Sequence, residues 1–146
     1  MSLWKVPLAG GAAQQVTTMP ASHPAYSPDG KWLAYQFTDA TTKRNQVAIV
    51  PAAGGTPNKV LDISIGAGSL CWTRDSQALV FIASNNREIK LQPLTGGAAQ
   101  TLLSLSDESV FSCALTSDGQ NLLYVRGRLT SDLVLLTDQL VQYPEP

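Results

Sequence analysis

The feature that most constrains this chain is a nine-residue segment that occurs three times. Leu3-Trp4-Lys5-Val6-Pro7-Leu8-Ala9-Gly10-Gly11 returns as Val47-Ala48-Ile49-Val50-Pro51-Ala52-Ala53-Gly54-Gly55 and again as Ile89-Lys90-Leu91-Gln92-Pro93-Leu94-Thr95-Gly96-Gly97. The leading glycines are 44 and 42 residues apart. A second motif keeps the same step: Ser27-Pro28-Asp29-Gly30, Thr73-Arg74-Asp75-Ser76 and Thr116-Ser117-Asp118-Gly119, with aspartates 46 and 43 residues apart. Two different motifs sharing one period mark a repeat architecture, in which each unit buries its apolar faces only against its neighbours. The repeats are expected over residues 3–46, 47–88 and 89–132, with a truncated copy over 133–140 that begins Leu133-Val134-Leu135-Leu136.

Both motifs have the chemistry of turns. In Ser27-Pro28-Asp29-Gly30 the proline presets φ, the aspartate tolerates the third position and Gly30 supplies the left-handed conformation. Ser76 stands where the other copies have glycine, so that turn is expected to differ or carry strain. A short apolar stretch precedes each aspartate turn (Ala25-Tyr26, Cys71-Trp72, Ala114-Leu115). A longer one follows it, from Trp32 to Phe37, Ala78 to Ala83 and Leu122 to Val125. Runs such as Leu79-Val80-Phe81-Ile82 are apolar without alternation, the pattern of strands covered on both faces. Their shortness, aromatic and β-branched content and bounding turns favour strand over helix. Four strands per ~43 residues is the size of one β-propeller blade. The expected fold is therefore all-β: four-stranded antiparallel blades in a propeller left incomplete by this chain.

Composition narrows the functions. With ten Lys+Arg against eleven Asp+Glu there is no net field to draw in phosphates, so direct nucleic-acid binding is not expected. Apolar residues at 44% and charged ones at 14% argue against disorder. The longest apolar stretch, Ala78 to Ala83, is six residues against the ~20 of a membrane helix, so no membrane insertion is expected of it.

The run Tyr26-Ser27-Pro28-Asp29-Gly30-Lys31-Trp32-Leu33-Ala34-Tyr35, followed by a strand ending in Pro-x-x-Gly-Gly, resembles the TolB-type propeller repeat from Leu3 to about Leu136. The second turn departs by lacking glycine, and the third by having Leu115 where the aromatic stands. Related repeats occur in periplasmic TolB-type proteins, in the propellers of prolyl-oligopeptidase-like enzymes and in the sensor halves of membrane-anchored winged-helix regulators. The ending Ser131-Asp132-Leu133-Val134-Leu135-Leu136 is similar to the last strand of the regulator type. On the family's frame the chain opens with two strands of one blade. Two whole blades and a three-stranded blade follow, which reads as a fragment of a larger protein.

Candidate chemistry is sparse. His23, the sole histidine, precedes Pro24 at a strand start and no Gly-x-Ser-x-Gly elbow accompanies it, so it is expected to be structural. Cys71 and Cys113, 42 residues apart without a Cys-x-x-Cys or histidine partner, offer no metal set. They are expected to stay thiols, packed as small apolar side chains on opposite faces of neighbouring inner strands. Asp29, Asp75 and Asp118 occupy equivalent turns, where turn formation accounts for them better than a carboxylate site. Gly66-Ala67-Gly68 lacks the rest of a nucleotide fingerprint, and Lys43-Arg44 reads as a solvated tip of the loop Thr38 to Gln46. Trp32 and Trp72 are core candidates, while Trp4 can lie exposed on an outer strand. Leu33, Leu79 and Leu122, with Tyr35, Phe81 and Tyr124, are expected to form layers between blades.

No catalytic, cofactor or metal residues are expected. The expected role is a non-catalytic interaction or ligand-sensing module, with a protein or small ligand at the propeller loops, as in the sensor half of a winged-helix regulator. The alternative is the substrate-gating propeller of a prolyl-oligopeptidase-like peptidase. The resemblance implies a periplasmic location, and open blade faces would suit a homodimer.

Overall fold

The computed structural model describes residues 1–129. The expected partial repeat at 133–140 and the ending Ser131–Leu136 lie outside the described residues. The described residues form twelve strands, and every pairing among them is antiparallel between consecutive strands. Strands β1 (Trp4–Lys5) and β2 (Gln14–Gln15) make a two-stranded sheet. A four-stranded sheet follows: β3 (Ala21–Tyr26), β4 (Trp32–Thr38), β5 (Asn45–Pro51) and β6 (Lys59–Leu61). The next four-stranded sheet holds β7 (Ile65–Trp72), β8 (Ala78–Ala83), β9 (Glu88–Pro93) and β10 (Gln100–Ser104). Last come β11 (Ser109–Leu115) and β12 (Leu122–Gly127), paired with each other. Both four-stranded sheets are meanders, the blade topology that the repeat predicts.

The aspartate motif joins the first two strands of a blade and the Gly-Gly motif the last two. Both sit at the same end, because Ala52 N–H donates to the Lys31 carbonyl at 2.8 Å and Leu94 N–H to the Gln77 carbonyl at 2.9 Å. The first strands β3, β7 and β11 lie against one another across successive blades. Each is bulged: the register slips between Ser22 and Ala25, between Ile65 and Leu70, and between Val110 and Ser112. In β7 the slip uses Gly66 and Gly68. A Cβ on Gly68, at φ +138, would stand 2.8 Å from both Ile82 Cδ1 and the Phe111 carbonyl oxygen. Gly68 thus serves close approach between blades, whereas Gly66 lies against the Ala83 carbonyl and Asn86 of its own blade.

The core lies between the blades. Leu33 and Tyr35 join Ala21, Ala48 and Val50 in the first layer, with Leu3 and Val16 packed against it. Ala34, Val47 and Ile49 of the next face meet Ile65, Leu70, Trp72, Leu79 and Phe81. Val80, Ile82 and Ile89 meet Val110 and Cys113, with Leu115 and Leu122 alongside. Alternate residues of β4 and β8 face opposite layers, which is why their runs are apolar throughout. The three equivalent leucines each enter a different layer, as expected. Tyr124 departs, being 39% exposed on β12, where Leu123 is 64% exposed. No partner strand is paired on the far side of β12 among the described residues. Trp72 is buried and its indole N–H donates to the Ala25 carbonyl at 2.9 Å, tying two blades. Trp32 is partly buried against the same layer, and Trp4 is exposed.

Candidate functional site

The three aspartate turns are built alike. In the first, the Ser27 hydroxyl donates to Asp29 Oδ1 at 2.6 Å, which also accepts the Lys31 N–H at 3.1 Å. The Ser27 oxygen in turn accepts the Trp32 N–H at 2.9 Å. In the second, Thr73 donates to Asp75 Oδ1 at 2.6 Å, Gln77 N–H donates to the same oxygen at 3.0 Å, and Thr73 Oγ1 accepts Ala78 N–H at 3.0 Å. In the third, Thr116 donates to Asp118, which accepts Gln120 N–H at 2.9 Å. Donation from the hydroxyl first, then from the backbone N–H, holds all three carboxyls below the usual carboxylate range. One oxygen of each aspartate is thereby committed to its own loop. The Ser/Thr two residues before each aspartate is a partner that sequence reasoning passed over, although it stands in every copy of the motif.

Successive turns also touch. Ser76, at φ 58, is buried, and its hydroxyl oxygen accepts the Asp29 N–H at 3.3 Å. The strain expected from the missing glycine is real, and the side chain that causes it links the first turn to the second. Between the second and third turns, Arg74 Nη1 donates to the Asp118 carbonyl at 3.4 Å. An open groove of about 600 Å³ lies here, lined by Thr73, Arg74, Asp75, Asp118, Gly119 and Gln120. Its walls offer a guanidinium, a primary amide and the uncommitted carboxylate oxygens, all exposed. Such a surface suits a polar ligand with both donors and acceptors.

The opposite end carries the other loops. Asp39 Oδ1 accepts the N–H groups of Thr41 and Thr42 at 3.0 and 2.7 Å, and Arg44 reaches Asp62 at 3.9 Å. Lys43 and Arg44 are exposed there, as their place in a solvated loop predicts. His23 sits in the β3 bulge at φ 53, half-buried, with Nδ1 3.0 Å from Ser22 Oγ. A serine hydroxyl therefore does lie beside the histidine. Among the described residues no carboxylate or backbone group holds the other ring nitrogen, the orientation that a catalytic triad requires.

Cys71 and Cys113 are both thiols. Their faces are opposite, as expected, but opposite faces of successive blades look at each other, so the two side chains meet. Cys71 Sγ lies 3.8 Å from the Cys113 carbonyl oxygen and interacts with the Cys113 thiol. Donation from Cys113, helped by the Leu115 N–H and opposed by burial, lowers the Cys71 pKa to about 7. The same contact and burial push Cys113 up. Among the described residues no three His, Cys, Asp or Glu side chains are grouped to hold a metal ion.

Gln36 was invisible as a contact in the sequence. Its side-chain oxygen, buried between blades, accepts the Ile65 N–H at 2.7 Å. A lone polar residue inside the apolar run Trp32 to Phe37 is the signal that could have found it.

No protein-family model matches the chain. It is 31% identical over 108 residues to Tricorn protease homolog 1 of Streptomyces coelicolor (strain ATCC BAA-471 / A3(2) / M145), a match covering 68% of this chain and 10% of that protein. Among solved structures it is similar to a gluconolactonase from Xanthomonas campestris, with a TM-score of 0.59 and 16% identity over 84% of this chain and 40% of the other. It is also similar to TolB from Acinetobacter baumannii, with a TM-score of 0.58 and 21% identity over 83% of this chain and 31% of that one. The chain thus spans less than half the length of each. The meander blades, the repeated aspartate turns and these likenesses make the chain, by fold, an incomplete arc of a β-propeller, similar to part of TolB.

Proposed function

We propose that this arc is a non-catalytic recognition module of a larger protein, taking a polar peptide or small ligand at its aspartate-turn end. The observation that carries this reading is the groove between the second and third turns. Its loops are held by their own Ser/Thr–Asp hydrogen bonds, leaving Arg74 and Gln120 exposed toward a ligand. A rigid scaffold with polar groups on its loops is how propellers bind without doing chemistry. The TolB-type resemblance favours a periplasmic setting, and the sensor half of a regulator is one context that fits it.

A second reading has its own support. The match to Tricorn protease homolog 1 favours a propeller that gates substrate to a peptidase domain elsewhere in the protein. In both readings this segment turns nothing over. The test has two arms. Chromogenic peptide, ester and lactone substrates are offered to the purified chain, and turnover abolished by His23→Ala would overturn the non-catalytic reading. Displayed random peptides are then selected on the chain. Binders are expected to lose affinity at least tenfold on Arg74→Glu and to keep it on Lys43→Glu at the other end. Binders indifferent to Arg74 would remove the groove from the proposal.

A further inference from the structure

The contact between Cys71 and Cys113 is used by neither reading of the function. The two residues occupy different positions of the repeat, four and five residues before their aspartates, so the pair is not a repeated feature of the blade. Each nevertheless lies on the face that its blade turns toward the other. Strands β7 and β11 belong to separate sheets and share no ladder, and at this layer Val80, Ile82, Ile89 and Val110 surround Cys113. The two thiols are unequal. Cys71 is half-buried and open to a small reagent, whereas Cys113 is 5% exposed. We propose that Cys71 and Cys113 are an oxidation site, at which a disulfide oxidant converts the thiol pair into a covalent bond between neighbouring blades.

The geometry assigns the order of steps. The Cys71 thiolate, helped by the Leu115 N–H, attacks one sulfur of a low-molecular-weight disulfide. A mixed disulfide forms at Cys71 and one small thiolate leaves. Cys113 then gives up its proton to solvent and attacks Cys71 Sγ, expelling the small thiolate bound there. Two thiols lose two electrons and two protons, and the oxidant becomes two small thiols. Burial of Cys113 keeps it from external reagents, so it acts only as the resolving thiol. The bond closes a loop of one repeat length and removes freedom from the unfolded chain. Oxidised protein is therefore expected to melt roughly 10 °C above the reduced form.

The folded chain, first reduced, is equilibrated with oxidised glutathione, quenched with an alkylating agent, and digested with trypsin without reduction. The expected product is monomeric, lighter by two hydrogens, with the segment after Lys59 holding Cys71 linked to the segment after Lys90 holding Cys113. Cys113→Ser is expected to stop at a glutathione adduct on Cys71, and Cys71→Ser to leave Cys113 unmodified in the folded state. Two alkylated thiols after oxidation, or only intermolecular disulfides, would overturn the proposal without touching the groove reading. A melting temperature equal in both redox states would show that the bond does not staple the blades, and would overturn that part.

Discussion

Replacing Phe81 with alanine tests the blade frame most directly. Phe81 is 3% exposed, in the layer it shares with Trp72, Leu79 and Ile49 between the two four-stranded blades. Truncation removes roughly 100 Å² of buried apolar surface, or ~2.5 kcal/mol at ~25 cal/mol per Å². A void of ~80 Å³ left unfilled would add ~2 kcal/mol at ~24 cal/mol per Å³. A surface cleft of about 240 Å³, lined by Phe81 together with Ile63, Ala83, Lys90 and Ala99, adjoins the ring. Relaxation and water entry from that side should erase part of the cavity term. The expected loss is about 3–4 kcal/mol, within the usual range for a buried aromatic. Urea denaturation followed by tryptophan fluorescence measures it, because Trp72 reports from the same layer. Leu102→Ala, at a side chain 47% exposed, should cost less than about 1 kcal/mol and serves as the control. A loss below about 1 kcal/mol at Phe81 would mean that the layer does not exist and that the strand frame is wrong.

Three further outcomes follow from the turns and the bulge. Ser76→Gly should change stability by under about 0.5 kcal/mol, since relief at φ 58 offsets the lost bond to Asp29, whereas Ser76→Ala keeps the strain and should cost about 1 kcal/mol. Gly68→Ala should cost about 2–4 kcal/mol, because the new methyl meets backbone as well as Ile82, while Gly96→Ala, in open space at φ +113, should cost about 1 kcal/mol; denaturation midpoints decide. The turn carboxyls titrate below their unfolded values, so their contribution is present above about pH 4 and is lost as pH falls through the lowered folded values. The melting temperature should therefore fall on acidification below about pH 4, with a shallower fall in Asp75→Asn; equal slopes would show that the hydroxyl–carboxylate bond is not being titrated.

Much of this architecture is legible in the residues alone, because it rests on local chemistry repeated at a fixed step. Pro28, Asp29 and Gly30 specify a turn wherever they stand, and a run such as Leu79 to Ile82 specifies a strand covered on both sides. The shared period of two motifs then requires like units stacked side by side. The burial of Leu33, Leu79 and Phe81 follows from that stacking. What the tertiary structure alone decided lies between the units. Ser76 finds Asp29 across 47 residues, Trp72 finds Ala25 across 47, Arg74 finds Asp118 across 44 and Cys71 finds Cys113 across 42. Each pairing depends on how adjacent sheets are set against one another, while bulges in β3, β7 and β11 break the simple alternation along the first strand of each blade. A repeat period says that neighbouring blades meet, but the side chains that touch are chosen by sheet twist and bulge position, which arise only when all the strands are packed together.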